Sequence, residues 1–188
     1  RIDGEEIDLA KCNLKSFRRE LDMKEGVLTR MFTVVMPSGR VAEVTARRFL
    51  SMDEPELAAL SYSLRITGGG GKVELIPWLN ADVYNEDANY DEKFWEEESA
   101  SRDGRRSVVV AQTRKTAFVV ATAMENSFSL NGKPAKDEPV ITTTDRTARC
   151  SFTSVYADGD NFTVTTYAAV LSSFNHPVDG IAAKSMAS

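Results

Sequence analysis

The sequence predicts a mostly β chain of antiparallel strands, and three observations carry that expectation. Short runs rich in β-branched and aromatic residues alternate apolar with polar positions. Clusters of Gly, Pro, Asp, Asn and Ser separate these runs. The only helical pattern is a short apolar stretch after Pro177. Strands are predicted over 14–21, 27–35, 41–49, 57–66 and 72–78, joined at Met23-Lys24-Glu25-Gly26, Pro37-Ser38-Gly39 and the glycine run Gly68 to Gly71, which reads as a hairpin turn. Residues 79–106 break the rhythm. They are acidic, aromatic and aperiodic, and are expected to form one extended surface loop. Strands resume at 107–112, 116–124 and 127–130, with Asn131-Gly132 as a hairpin signal. The turn Asp158-Gly159-Asp160-Asn161 is expected to join 147–157 and 162–169 as two paired strands.

Composition narrows the function. With 188 residues the chain can bury one good core, and sandwiches of this size are common as single domains. No apolar run approaches the roughly 18 residues that a helical membrane span needs, so no membrane association is expected. A net charge of −5 gives no basic footprint for nucleic acid. The two cysteines, Cys12 and Cys150, share no metal or redox spacing, which fits a reducing compartment, and a cytoplasmic location is expected. The chain begins at Arg1 and closes in an unfinished apolar helix pattern, so a piece of a longer protein is expected.

Three stretches, LDMKEGVLTR (21–30), RRFLSMDEPELAALSYSL (47–64) and NEDANYDEKFW (85–95), together resemble the N-terminal domain of glycoside hydrolase family 65, the maltose, trehalose and kojibiose phosphorylases. VVVAQTRKTAFVVATAM (108–124) and SFNHP (173–177) fit the same domain, and the third stretch looks most like the maltose phosphorylases. The resemblance implies an antiparallel β super-sandwich, galactose mutarotase-like, over residues 1–174. Residues 175–188 then begin a helical linker to an (α/α)6 catalytic barrel that the 188 residues do not contain. It also implies a homodimeric parent that cleaves an α-linked glucose disaccharide with inorganic phosphate as co-substrate, inverting it to β-glucose 1-phosphate, without metal or organic cofactor. A glutamate of the barrel serves as the acid there, and phosphate replaces the water of an inverting hydrolase. The family's acid and its phosphate-binding residues match no position here, so catalysis by this chain alone is not expected.

The loop around NEDANYDEKFW mixes carboxylates, amides and aromatic rings, a combination suited to sugar hydroxyls and pyranoside faces. Asn89, Tyr90, Asp91, Lys93, Phe94 and Trp95 are therefore the candidate substrate-entrance residues. The plainer alternative is that Phe94 and Trp95 pin a loop to the sandwich while the charges face water. A second function class stays open, an independent carbohydrate-binding module with Trp78, Tyr84, Tyr90 and Trp95 as an aromatic platform. Asn85, Asp87, Asn89 and Asp91 alternate as in a calcium loop, but the required glycine and terminal glutamate are out of place. Asp82, Glu86, Glu92 and Glu96 to Glu98 offer carboxylate pairs, more simply read as a solvated acidic surface. Gly68 to Gly71 with Lys72 imitates a phosphate loop but lacks the Ser or Thr and the following helix. His176, the single histidine, is expected to shape the exit into the linker.

Overall fold

The computed structural model describes residues 1–84 and 93–188, with the side chains of Glu97 and Glu98 left out. The first four strands, β1 (Asn13–Asp22), β2 (Val27–Val35), β3 (Val41–Leu50) and β4 (Leu57–Thr67), form an antiparallel meander close to the predicted bounds. The chain then leaves this sheet for β5 (Gly71–Leu75) and β6 (Trp78–Asn80), a strand interrupted at Ile76-Pro77, where proline cannot donate to a ladder. After β7 (Trp95–Asp103), β8 (Arg106–Thr113), β9 (Val119–Leu130) and β10 (Lys133–Pro134), the second sheet takes β11 (Val140–Thr143) and β12 (Thr147–Tyr156). A last long strand, β13 (Asn161–Ser172), leads to the helix α1 (Ile181–Ala187). The large sheet runs β1-β2-β3-β4-β13-β9-β8-β7 with β10 on β9, and the small one is built around β12, which pairs with β11, β5 and β6.

Four expectations are corrected. The segment 79–106 is not one loop, because 95–103 is an edge strand paired with β8. Its sequence, WEEESASRD, hides the period of two because a bulge between Glu97 and Ser99 shifts the register and an edge strand needs few apolar residues. Residues 119–130 form one twelve-residue strand rather than two. The Gly68 to Gly71 run is not a hairpin turn, since β4 lies in the large sheet and β5 in the small. Likewise β12 and β13 do not pair, and the Asp158-Gly159 turn carries the chain back to the large sheet.

These two crossovers lie side by side and hold each other. Gly68 and Gly69 adopt φ of 99° and 117°, open to glycine alone at low cost, and both donate their N–H to Asp158 Oδ1, at 2.7 and 3.2 Å. Those two N–H groups keep the Asp158 carboxyl below its usual range. Arg40 donates to the carbonyls of Gly68 and Gly70 from the other side. The glycine run is therefore an anion cradle already filled by the protein's own carboxylate.

Residues directly opposite in register share a face of the sheet. On the inner face, Phe32, Val44, Leu64 and Phe162 form one transverse row through β2, β3, β4 and β13. All four are at most 4% exposed, packed against Val73, Leu75, Phe152 and Tyr156 of the small sheet. Phe128 stacks on Phe152 with ring centroids 4.6 Å apart. On the outer face, α1 covers Val108, Val110, Ala121 and Leu171, while Val109 faces Ala81 and Ala148. The Val108-Val109-Val110 run is continuous because β8 is buried on both faces. The helix is fastened by His176, whose Nε2 lies 2.6 Å from Glu56 Oε1 and whose Nδ1 lies 2.8 Å from Lys184 Nζ. Arg106 donates to the Met186 carbonyl at 2.6 Å.

Candidate functional site

The candidate loop returns to the sandwich at Lys93, Phe94 and Trp95; Asn89, Tyr90 and Asp91 lie outside the described residues, as do Asn85 and Asp87 of the calcium pattern. Lys93 is only 10% exposed at its side chain and donates to Asp82 Oδ1 at 2.8 Å, where Arg146 Nη1 also sits at 3.4 Å. Lys93 first, and then Arg146, hold the Asp82 carboxyl below its usual range. The Lys93 ammonium also stands 5.7 Å from the ring centre of Tyr84. The Phe94 carbonyl accepts from the Arg114 N–H at 3.0 Å, and Glu96 lies 3.5 Å from the Arg114 guanidinium. Trp95 opens β7 opposite Thr113 and lines a cavity of about 210 Å3 with Leu79, Ala81, Val109 and Val120. In this arrangement the described half of the candidate set anchors the chain.

A larger concavity is a cleft of about 480 Å3 where the small sheet lifts away from the large one. Leu60, Tyr62 and Thr166 form its floor, and Pro77, Trp78 and Arg149 form its roof. Its volume is in the range of small-ligand sites. Trp78 is 48% exposed and carries the Arg149 guanidinium 4.8 Å over its ring. Burial pushes the Tyr62 hydroxyl up to about 12. Thr166 donates to Asn126 Oδ1 at 2.6 Å. Trp78 and Trp95 line different cavities, so these two rings form no common platform.

Both nitrogens of His176 are taken by Glu56 and Lys184, which leaves neither for a serine or cysteine nucleophile. Cys150 is buried, and burial pushes its thiol up to about 11 despite the opposing Asn126 side chain, the reverse of an activated nucleophile. Among the described residues no group of three or more His, Cys, Asp or Glu side chains is placed to hold a metal ion. No helix among them is long and apolar enough to cross a membrane.

Sequence reasoning missed Tyr62, Arg149 and Thr166, which come from strands far apart in the chain and carry no local motif. It also missed the Asp82 node, whose partner Arg146 is 64 positions away.

The described residues form a mostly antiparallel two-sheet sandwich with one short C-terminal helix. Residues 1–187 match the profile of the glycosyl hydrolase family 65 N-terminal domain, and the chain belongs to that family. Its relatives include disaccharide phosphorylases. It is 37% identical over 130 residues to maltose phosphorylase of Bacillus subtilis, covering 66% of this chain and 17% of that one. It is 29% identical over 140 residues to α,α-trehalose phosphorylase of Thermoanaerobacter brockii, covering 70% and 18%. The fold matches that of a proposed kojibiose phosphorylase from a human microbiome with a TM-score of 0.83 at 16% identity, covering the whole of this chain and 23% of that one. The chain thus spans about a fifth of the length of these relatives.

Proposed function

We propose that this chain is the non-catalytic N-terminal sandwich of a cytoplasmic, homodimeric, inverting disaccharide phosphorylase of the maltose phosphorylase type. In this reading residues 1–174 form the sandwich and 175–188 begin the linker to an (α/α)6 barrel. The barrel cleaves an α-linked glucose disaccharide with inorganic phosphate, giving β-glucose 1-phosphate and glucose, without metal or organic cofactor. The observation that carries the reading is the end-to-end family match, joined to relatives that include maltose, trehalose and kojibiose phosphorylases.

The part assigned to this chain is to carry the barrel, contribute to the dimer and lend the 85–95 segment to the substrate entrance. Asn89, Tyr90 and Asp91, with Lys93, Phe94 and Trp95, are its candidate contacts. The test is phosphate-dependent release of β-glucose 1-phosphate by the full-length protein from maltose, trehalose, kojibiose and nigerose. Release from maltose ahead of the others supports the reading. Phosphate-independent hydrolysis, or no turnover of any of the four, overturns it. Saturable maltose binding by the isolated 188 residues favours the second reading, a carbohydrate-binding module, for which the cleft under Trp78 offers a described cavity of suitable size.

A further inference from the structure

The small sheet covers only part of the inner face of the large one. Along β3 the inward residues run Val44 at 2% exposure, partly buried Ala46, exposed Arg48 and Leu50 at 73%. Along β4 they run from Leu64 at 0% through Tyr62 to Leu60 at 39%. The rows drawn through these positions tell the same story across strands. Leu21, Leu28, Arg48, Leu60 and Thr166 form one row, and Arg19, Arg30, Ala46, Tyr62 and Val164 form the next. Phe17 and Leu21 of β1, on the same face, are 46% and 59% exposed, and every residue of β1 is exposed. Among the described residues Arg19, Arg30 and Arg48 make no ion pair; Arg19 and Arg30 merely lie over the rings of Phe17 and Phe32, at 5.8 and 5.6 Å. Arg19 and Arg30 are direct cross-strand partners, an arrangement of like charges that costs free energy unless an anion joins them.

We infer that this open half of the inner face, bounded by Phe17, Leu21, Arg30, Arg48 and Leu60, is a docking surface for an extended, acidic and apolar polypeptide segment. Same-face side chains along a strand recur about every 6.8 Å, so Phe17, Arg19 and Leu21 of β1 and Phe32, Arg30 and Leu28 of β2 alternate apolar and guanidinium groups at the spacing of an opposing extended chain, with Arg48 of β3 one row further on, beside the leucines. Strands of packed sheets align within about 30°, which lets a segment lie along β1 to β4 with its alternate residues meeting successive rows. Its apolar side chains cover Leu21, Leu28 and Leu60 and enter the Tyr62 cleft. Its carboxylates meet Arg19, Arg30 and Arg48. A peptide fits better than a polyanion because the guanidiniums are separated by leucines and the chain as a whole is negatively charged. The inference rests on the sheet geometry alone, so it and the phosphorylase reading stand or fall separately.

The probe is a labelled ten-residue peptide alternating Leu and Glu, followed by fluorescence anisotropy against the 188-residue chain, with an alternating Leu-Lys peptide as control. Saturable binding of the Leu-Glu peptide that weakens with added salt is expected. The double variant Arg30→Glu/Arg48→Glu, checked for native circular dichroism, is expected to lose at least tenfold in affinity for it and to gain the Leu-Lys peptide. Should that variant misfold, Arg48→Gln supplies the same comparison, with a smaller loss expected. Absence of saturable binding, or binding indifferent to salt and to these substitutions, overturns the inference. So does concentration-dependent dimerisation of the chain that the double variant abolishes, because a second copy would then be the occupant.

Discussion

The two halves of the large sheet's inner face are built on the same strands yet obey different rules. Four residues apart on β4, Leu64 is sealed against Phe162 and the small sheet while Leu60 stands 39% exposed at the rim of the cleft. The sealed row Phe32, Val44, Leu64 and Phe162 is apolar; the open half intersperses leucines with Arg19, Arg30 and Arg48. On this face, burial is therefore concentrated in the sealed half.

The largest effect that can break this comparison is a cavity in the sealed half. Phe162→Ala removes a fully buried ring facing Phe152 and is expected to cost about 3–5 kcal/mol in urea unfolding. Leu21→Asp, in the open half, is expected to change stability by less than about 0.5 kcal/mol. Equal effects would mean that the open half is part of the core.

Acid comes next. Asp158 is held low by the Gly69 and Gly68 N–H groups, and Asp3 is held low by the Lys72 N–H and the Tyr156 hydroxyl. A depressed carboxyl contributes stability that is fully present above its unfolded value of about 3.9 and lost as pH falls toward the folded value. The urea midpoint of the chain is thus expected to fall between pH 5 and pH 3 more steeply than that of Asp158→Asn. Parallel curves would show that the crossover contact carries no linkage.

The thiols give a sharper readout of burial. With Cys150 pushed up to about 11, roughly one thiol in a thousand is ionised at pH 8, and the side chain is 1% exposed. Alkylation of the native chain followed by mass spectrometry is expected to modify Cys12 first and Cys150 only on unfolding. A small effect is expected at the helix: Lys184→Met removes one contact to His176 and is expected to cost less than about 1 kcal/mol by thermal unfolding.

Much of this architecture is legible in the sequence where local chemistry dictates it. β1 to β4 follow from alternation and turn residues, and the Asn131-Gly132 hairpin forms as expected between β9 and β10. The crossovers were not legible because Gly68 to Gly71 and Asp158-Gly159 specify that the chain turns, not which sheet receives it. The edge strand β7 escaped because a bulge between Glu97 and Ser99 shifts its register with β8 and breaks the period of two. At the candidate loop the pairing of Lys93 with Asp82, eleven positions apart, is a tertiary fact. Asn89, Tyr90 and Asp91 remain the untried part of that reading.

The most direct test of the division between a sealed and an open half is the urea unfolding of two substitutions on one strand, Leu64→Ala and Leu60→Asp. Leu64→Ala is expected to cost about 2–5 kcal/mol, and Leu60→Asp, despite its new charge, to stay within about 0.5 kcal/mol of the parent chain. If Leu60→Asp destabilises the isolated chain as much as Leu64→Ala does, the open half is core and the division is wrong.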